Sequence, residues 1–239
     1  MTKTYVLVPG FWLGAWAWRP VTEALRANGH KVYPMTLTGL ADREHLASRE
    51  VDLETHIADV MNLFRYEELD DVTLVGHSYA GLVVTAVADR IPEKVRQLVY
   101  VDSGPLPDGA ANIDFSPPPE RSRQEALVAE GDRWRLPPPP WSAMASDVDG
   151  VDIAQLERLS VPQPWATATT PVKLTGAWES LPRLGILSSF TTEQTQAMAA
   201  GGGLFQHMAG DGWRFEELPT WHWPMLSRPA DLAAILDRA

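Results

Sequence analysis

The stretch that most narrows the fold is Val72-Thr73-Leu74-Val75-Gly76-His77-Ser78-Tyr79-Ala80-Gly81. Val72, Leu74 and Val75 make a short apolar run rich in β-branched residues, which reads as a buried strand, and the apolar run from Leu82 to Ala88 reads as a helix. The chain must turn tightly between them, with one serine on the turn. Such a turn presses backbone against backbone, and the small residues Gly76, Ala80 and Gly81 stand where those contacts fall. The spacing follows G-x-S-x-G with alanine in the last place. Ser78 is therefore a candidate nucleophile.

Further strand candidates at 5–8, 31–33, 98–101, 185–187 and 213–216 alternate with helical patterns. Leu53, Ile57, Val60, Met61 and Phe64 recur at helical spacing, a helix from Trp18 to Ala27 stops at Asn28-Gly29, and a final helix runs near 228–238. Alternation of this kind predicts an α/β fold: a mostly parallel central sheet with helices on both faces. At 239 residues one such domain suffices. Between Gly104 and Pro182 the character changes, because 13 of the 20 prolines and four of the ten tryptophans fall there. A linker carries little aromatic mass, so this segment is expected to be a folded cap inserted into a core formed by 1–103 and 183–239.

Composition removes several function classes. A net charge of −11 with no basic cluster argues against nucleic acid as a partner, and the absence of cysteine removes thiolate metal sites and cysteine nucleophiles. Met1-Thr2-Lys3 leads directly into a strand, and no apolar run has membrane-spanning length. A soluble cytoplasmic protein with no membrane partner is expected; self-association into a homo-oligomer is left open.

A serine hydroxyl needs a base and donors for a developing oxyanion. Of the six histidines, His30 follows a helix-ending glycine, His45 and His56 lie before or within the early helix, and His207 sits in a glycine-rich stretch. His77 adjoins the serine and should point away from it. His222 follows the last strand and precedes the last helix, a loop position from which a base reaches the elbow. The oxyanion donors expected are the backbone N–H groups of Tyr79 and of Phe11, the latter in the glycine-punctuated loop Pro9-Gly10-Phe11-Trp12-Leu13-Gly14.

These motifs together resemble the α/β-hydrolase family, and more closely its bacterial carboxylesterase branch related to plant methylesterases and hydroxynitrile lyases. The resemblance covers nearly the whole chain. It rests on Pro9-Gly10-Phe11-Trp12-Leu13-Gly14-Ala15-Trp16, on Thr38-Gly39-Leu40 followed by Asp42-Arg43 and His45-Leu46, on the elbow, and on His222-Trp223-Pro224-Met225. It implies ester hydrolysis by serine, histidine and an acid, with no metal and no organic cofactor. Two departures stand out. Pro9 replaces the usual histidine of the oxyanion loop, removing a polar side chain and a backbone donor. The place after 185–187, where many members carry the acid, reads Ser188-Ser189-Phe190-Thr191-Thr192-Glu193 without an aspartate. Asp102, at the end of the strand at 98–101, and Glu193 are the candidate acids, and a serine-histidine dyad is the third option.

The leading expectation is an esterase for a bulky apolar or aromatic small molecule, with Trp12, Trp134, Trp141, Trp165 and Trp223 as apolar walls. A cofactor-free lyase using the same pair is the enzymatic alternative, weakened by Trp223 where plant hydroxynitrile lyases generally carry lysine. A non-catalytic small-molecule receptor on the same fold is the other.

Overall fold

The structure is a computed structural model that describes residues 1–145 and 148–239. Side chains alternate along each strand, so the apolar residues divide between two faces and both must be covered. In β1 (Thr4–Val8), Tyr5 and Leu7 point to one face and Val6 and Val8 to the other. A 3-10 turn at Ala15–Trp18 leads into α1 (Arg19–Ala27), which has proline in its first turn, and then β2 (Lys31–Pro34). Helix α2 (Leu53–Tyr66) begins at Asp52, whose carboxylate accepts from the Thr55 N–H while the Thr55 hydroxyl accepts from the Asp52 N–H. The elbow joins β3 (Val72–His77) to α3 (Ala80–Arg90), and β4 (Val95–Val101) follows.

Residues 102–182 separate β4 from the next core strand. Their described part holds a 3-10 turn at Asn112–Phe115, α4 (Pro118–Glu130), β5 (Arg135–Leu136), α5 (Trp141–Met144), α6 (Ile153–Leu159), β6 (Gln163–Pro164) and α7 (Ala166–Thr169). Strands β5 and β6 pair antiparallel in a separate two-stranded ribbon. Ser146 and Asp147, which fall in the expected cap, lie outside the described residues. The core resumes with β7 (Arg183–Leu187), α8 (Thr192–Ala200), β8 (Trp213–Glu217), α9 (Pro224–Ser227) and α10 (Pro229–Arg238).

All six core strands run parallel in the order β2-β1-β3-β4-β7-β8. One face packs Val6, Leu74, Leu98 and Tyr100 against α2 and α3. The other packs Leu7, Val75, Val99, Leu184 and Ile186 against Val21 and Leu25 of α1 and Leu232 and Leu236 of α10. Burying each such side chain is worth roughly 1.5–3 kcal/mol, which makes the sheet the rigid part of the molecule. The expected fold is the one observed, with strands one to three residues longer at several ends. Because β1 leads to β2 on one side and β3 lies on its other side, the chain reverses direction between β1 and β3. Crevices at the carboxyl edge of such a reversal are where ligands bind in open α/β sheets. Among the described residues no helix is long and apolar enough to cross a membrane.

The segment before β7 is tied to the helix that follows the elbow. The buried Asp89 carboxylate of α3 accepts from the backbone N–H groups of Thr175 at 2.6 Å, Gly176 at 2.9 Å and Trp178 at 3.3 Å. Hydrogen bonds to a charged group contribute more than neutral ones, and removal leaves three donors facing an apolar helix. Asp89→Ala is expected to lower unfolding free energy by about 3 kcal/mol in urea titration; a loss below about 0.5 kcal/mol would show that these donors find other partners.

Candidate active site

Parallel register fixes where the site must lie. His77 pairs with Val101, Val101 with Ile186, and Leu187 with Glu217, so β3, β4, β7 and β8 all end along one edge of the sheet. Ser78 is the first residue beyond β3 and has φ +52, a left-handed conformation that serine adopts only under constraint. The crowding is measurable. A Cβ on Gly76 would come within 2.7 Å of the Ala80 carbonyl oxygen, and one on Gly81 within 2.1 Å of the Ser103 hydroxyl. The Ser103 hydroxyl also donates to the Ser78 carbonyl at 2.5 Å.

Asp102 is the first residue beyond β4, and its φ of +44 is again left-handed. Its Oδ1 accepts from the Ser188 and Ser189 N–H groups at 2.9 and 2.8 Å, and Oδ2 accepts from the Ser189 hydroxyl at 2.5 Å. His222 donates from Nδ1 to Oδ2 at 2.5 Å. With Nδ1 holding the proton, Nε2 accepts from the Ser78 hydroxyl at 2.9 Å. Burial alone would raise the Asp102 carboxyl, but the hydrogen bond and charge of His222 and the donors of Ser189 outweigh it and hold it down, to about 2. The carboxylate is ionised at neutral pH. Glu193, the other candidate acid, stands exposed in the first turn of α8.

His77 points away from Ser78, as the strand alternation requires, and sequence reasoning gave it no further part. Its Nε2–H donates to the His222 carbonyl at 2.8 Å and so holds the main chain of the base. Burial, then repulsion from His222, lowers its pKa to about 3. His56 was likewise given no part. It is fully buried, and its Nε2–H donates to the Thr38 carbonyl at 2.9 Å, which leaves Nδ1 to accept from the Tyr79 hydroxyl at 3.0 Å. The Asp59 carboxylate accepts from the Thr38 N–H and hydroxyl and from Arg43, so the Thr38-Gly39-Leu40 motif serves to seat this histidine. Burial lowers the His56 pKa to about 4.

Phe11 and Tyr79 pack beside Ser78 with ring centres 4.6 Å apart and ring planes tilted by 34°. Among the described residues no acceptor is paired with the backbone N–H of either. Both face a cavity of about 420 Å³ that opens at Ser78 and His222. Trp12 and Trp223 line it. Trp134, Trp141 and Trp165, expected as walls, are not among the residues that line it. Trp141 is buried behind the wall, edge-on to Trp12, Trp221 and Trp223. Trp134 lies outside under the Arg135 guanidinium, and Trp165 caps the short helix α7. The missing walls come from Leu106, Phe115, Met198, Leu204, Phe205 and Met208. Four of these six follow β7, in a stretch whose glycines read as mobile loop. Among the described residues the acidic and basic side chains that line the cavity are Asp102 and His222, which are paired with each other.

The family profile that matches, over residues 5–235, is that of the alpha/beta hydrolases. A carbendazim hydrolyzing esterase from Nocardioides sp. (strain SG-4G) is 36% identical over 96% of each chain. Methylesterase 8 of Arabidopsis thaliana is 34% identical over 48% of this chain and 42% of its own. Among solved structures, an extracellular alpha/beta-hydrolase from a Paenibacillus species superposes with a TM-score of 0.81 at 22% identity, covering 99% of this chain and 98% of that one.

Two neutral, buried histidines make stability depend on pH. Below about 6.5 the unfolded chain protonates both, while the native state resists until about 4 for His56 and about 3 for His77. Stability therefore falls as pH falls through this window. Asp102 does not contribute there, since its stabilisation is lost only between about 3.8 and about 2. Urea titration at pH 7 and pH 5 should show a loss of roughly 2–4 kcal/mol. Equal stability at the two values would mean that one or both sites admit a proton on the native protein.

Proposed function

Because the chain belongs to the alpha/beta hydrolase family, we propose that it hydrolyses carboxylic esters of apolar or aromatic small molecules through an acyl-enzyme on Ser78. The observation that carries this reading is the continuous line from Asp102 through His222 to the Ser78 hydroxyl, ending beside two unpaired backbone donors at the mouth of an apolar cavity. The names of the two relatives, an esterase and a methylesterase, support the same class of reaction.

In this reading each step falls to one group. The Ser78 oxygen attacks the ester carbonyl carbon while its proton passes to His222 Nε2. Negative charge gathers on the former carbonyl oxygen, for which the N–H groups of Phe11 and Tyr79 are the proposed donors. Asp102 keeps His222 in the tautomer that can accept, and its charge stabilises the imidazolium. As the tetrahedral centre collapses, Nε2–H protonates the leaving alcohol. Water then repeats the sequence on the acyl-serine, giving up its proton to His222 and releasing the carboxylic acid. A cavity whose described lining holds no lysine or arginine, and whose one carboxylate is engaged by His222, suits neutral esters, because a charged substituent would lose hydration without gaining an opposite charge.

Ser78→Ala should abolish turnover of a p-nitrophenyl ester, and a fluorophosphonate should add once to the native protein, at Ser78, by intact-mass and peptide mapping. Asp102→Asn should lower kcat by roughly 10⁴-fold with unchanged melting, because the imidazole would lose its tautomer. Retention of wild-type turnover in Ser78→Ala would sink the proposal.

A further inference from the structure

The loop that carries Phe11 has little of its own to hold it. Pro9 offers no backbone N–H, and its ring replaces the polar side chain that relatives by resemblance carry there. Trp12 is left-handed, with φ +66, a conformation that an aromatic residue keeps only when its surroundings enforce it. The enforcing contacts come from the segment between β4 and β7. The Trp12 N–H donates to Gln163 Oε1 at 3.1 Å, the Trp12 carbonyl accepts from the Val161 N–H at 3.1 Å, and the Trp12 indole N–H donates to the Leu136 carbonyl at 3.2 Å.

Gln163 is fully buried and its orientation is determined. The Thr167 hydroxyl donates to the Pro164 carbonyl at 2.6 Å, so its lone pairs are what it presents to Gln163. The amide nitrogen must therefore face Thr167, at 2.8 Å, and the amide oxygen must face Trp12. The Trp12 N–H is thereby drawn to Gln163, while the N–H of the preceding residue, Phe11, has no acceptor among the described residues, and Phe11 lines the cavity beside Ser78.

We infer that Gln163 is a positioning residue for ester hydrolysis: by clamping the Trp12 peptide it sets the Phe11 N–H toward the oxyanion, so that the segment between β4 and β7 governs rate as well as substrate fit. The inference rests on the proposed acyl-enzyme chemistry and adds to it a residue that touches neither substrate nor reacting atoms. A misplacement of about 1 Å at a transition-state donor costs on the order of 10²-fold in rate.

The test compares Gln163→Leu with the wild type on one p-nitrophenyl ester, with phenylboronic acid as a probe that becomes tetrahedral on the serine and an ether analogue of the ester as one that cannot. Expected are a kcat lowered by about 10- to 100-fold, a KM within about twofold, a boronate inhibition constant raised in step with the kcat loss, and unchanged ether binding. Thr167→Val, which removes the acceptor that orients the amide along with the hydroxyl's donation to the Pro164 carbonyl, should move the same quantities less far and serves if Gln163→Leu does not fold. Wild-type kcat in the variant, or equal weakening of boronate and ether, would overturn the inference. Failure of the acyl-enzyme reading would show separately, as turnover in the wild type that does not depend on Ser78.

Discussion

The site depends on two residues held in a backbone conformation they would not choose. Ser78 and Asp102 each leave the sheet edge with positive φ, at adjacent strands and at equivalent positions. Strain of this kind costs on the order of 1–3 kcal/mol per residue. It persists because the strands beneath are packed on both faces and cannot relax, so apolar burial in the core offsets the strain at the edge. The turn at β3 lifts a hydroxyl out of the sheet, and the turn at β4 sets a carboxylate where a loop from β8 can drop a histidine between them.

The carboxylate's surroundings show how an aspartate at this strand end is accommodated. The strand end after β7, empty of aspartate in the sequence, supplies two backbone N–H groups and the Ser189 hydroxyl, all directed at Asp102. One strand end provides the charge and its neighbour provides the donors that keep it ionised and oriented. Around the histidine a second arrangement supports the main chain rather than the ring, through His77. The elbow histidine thus belongs to the base as much as to the nucleophile's strand.

How far the sequence could be read follows from periodicity. Strands and helices of the core were legible because alternation by two or by 3.6 marks a buried face, and the elbow was legible because only small residues tolerate its contacts. Asp102 was legible as a strand-end position, while its contact with His222 and the exposed helical turn that holds Glu193 depend on the folded chain. Which aromatic residues face the cavity was not legible. Trp141 and Trp134 sit among prolines in short elements with no repeating face, so composition marked them as large and apolar without giving a direction. Phe205 and Met208 were passed over for the opposite reason, since the glycines around them concealed a 3-10 turn that folds back over the site. His56 lies on a helix whose apolar stripe was evident; that it reaches Tyr79 depends on a long-range fold that spacing does not contain.

The near-absence of charge in the cavity also bears on what happens after chemistry. Ester hydrolysis turns a neutral molecule into an acid that ionises at neutral pH, and the walls offer that anion no lysine or arginine. The nearest fixed charge is the Asp102 carboxylate, on a chain whose net charge is −11. A cavity that welcomes the reactant on apolar grounds thus repels the product on electrostatic ones. Departure of the acid is favoured by the same walls that admitted the ester.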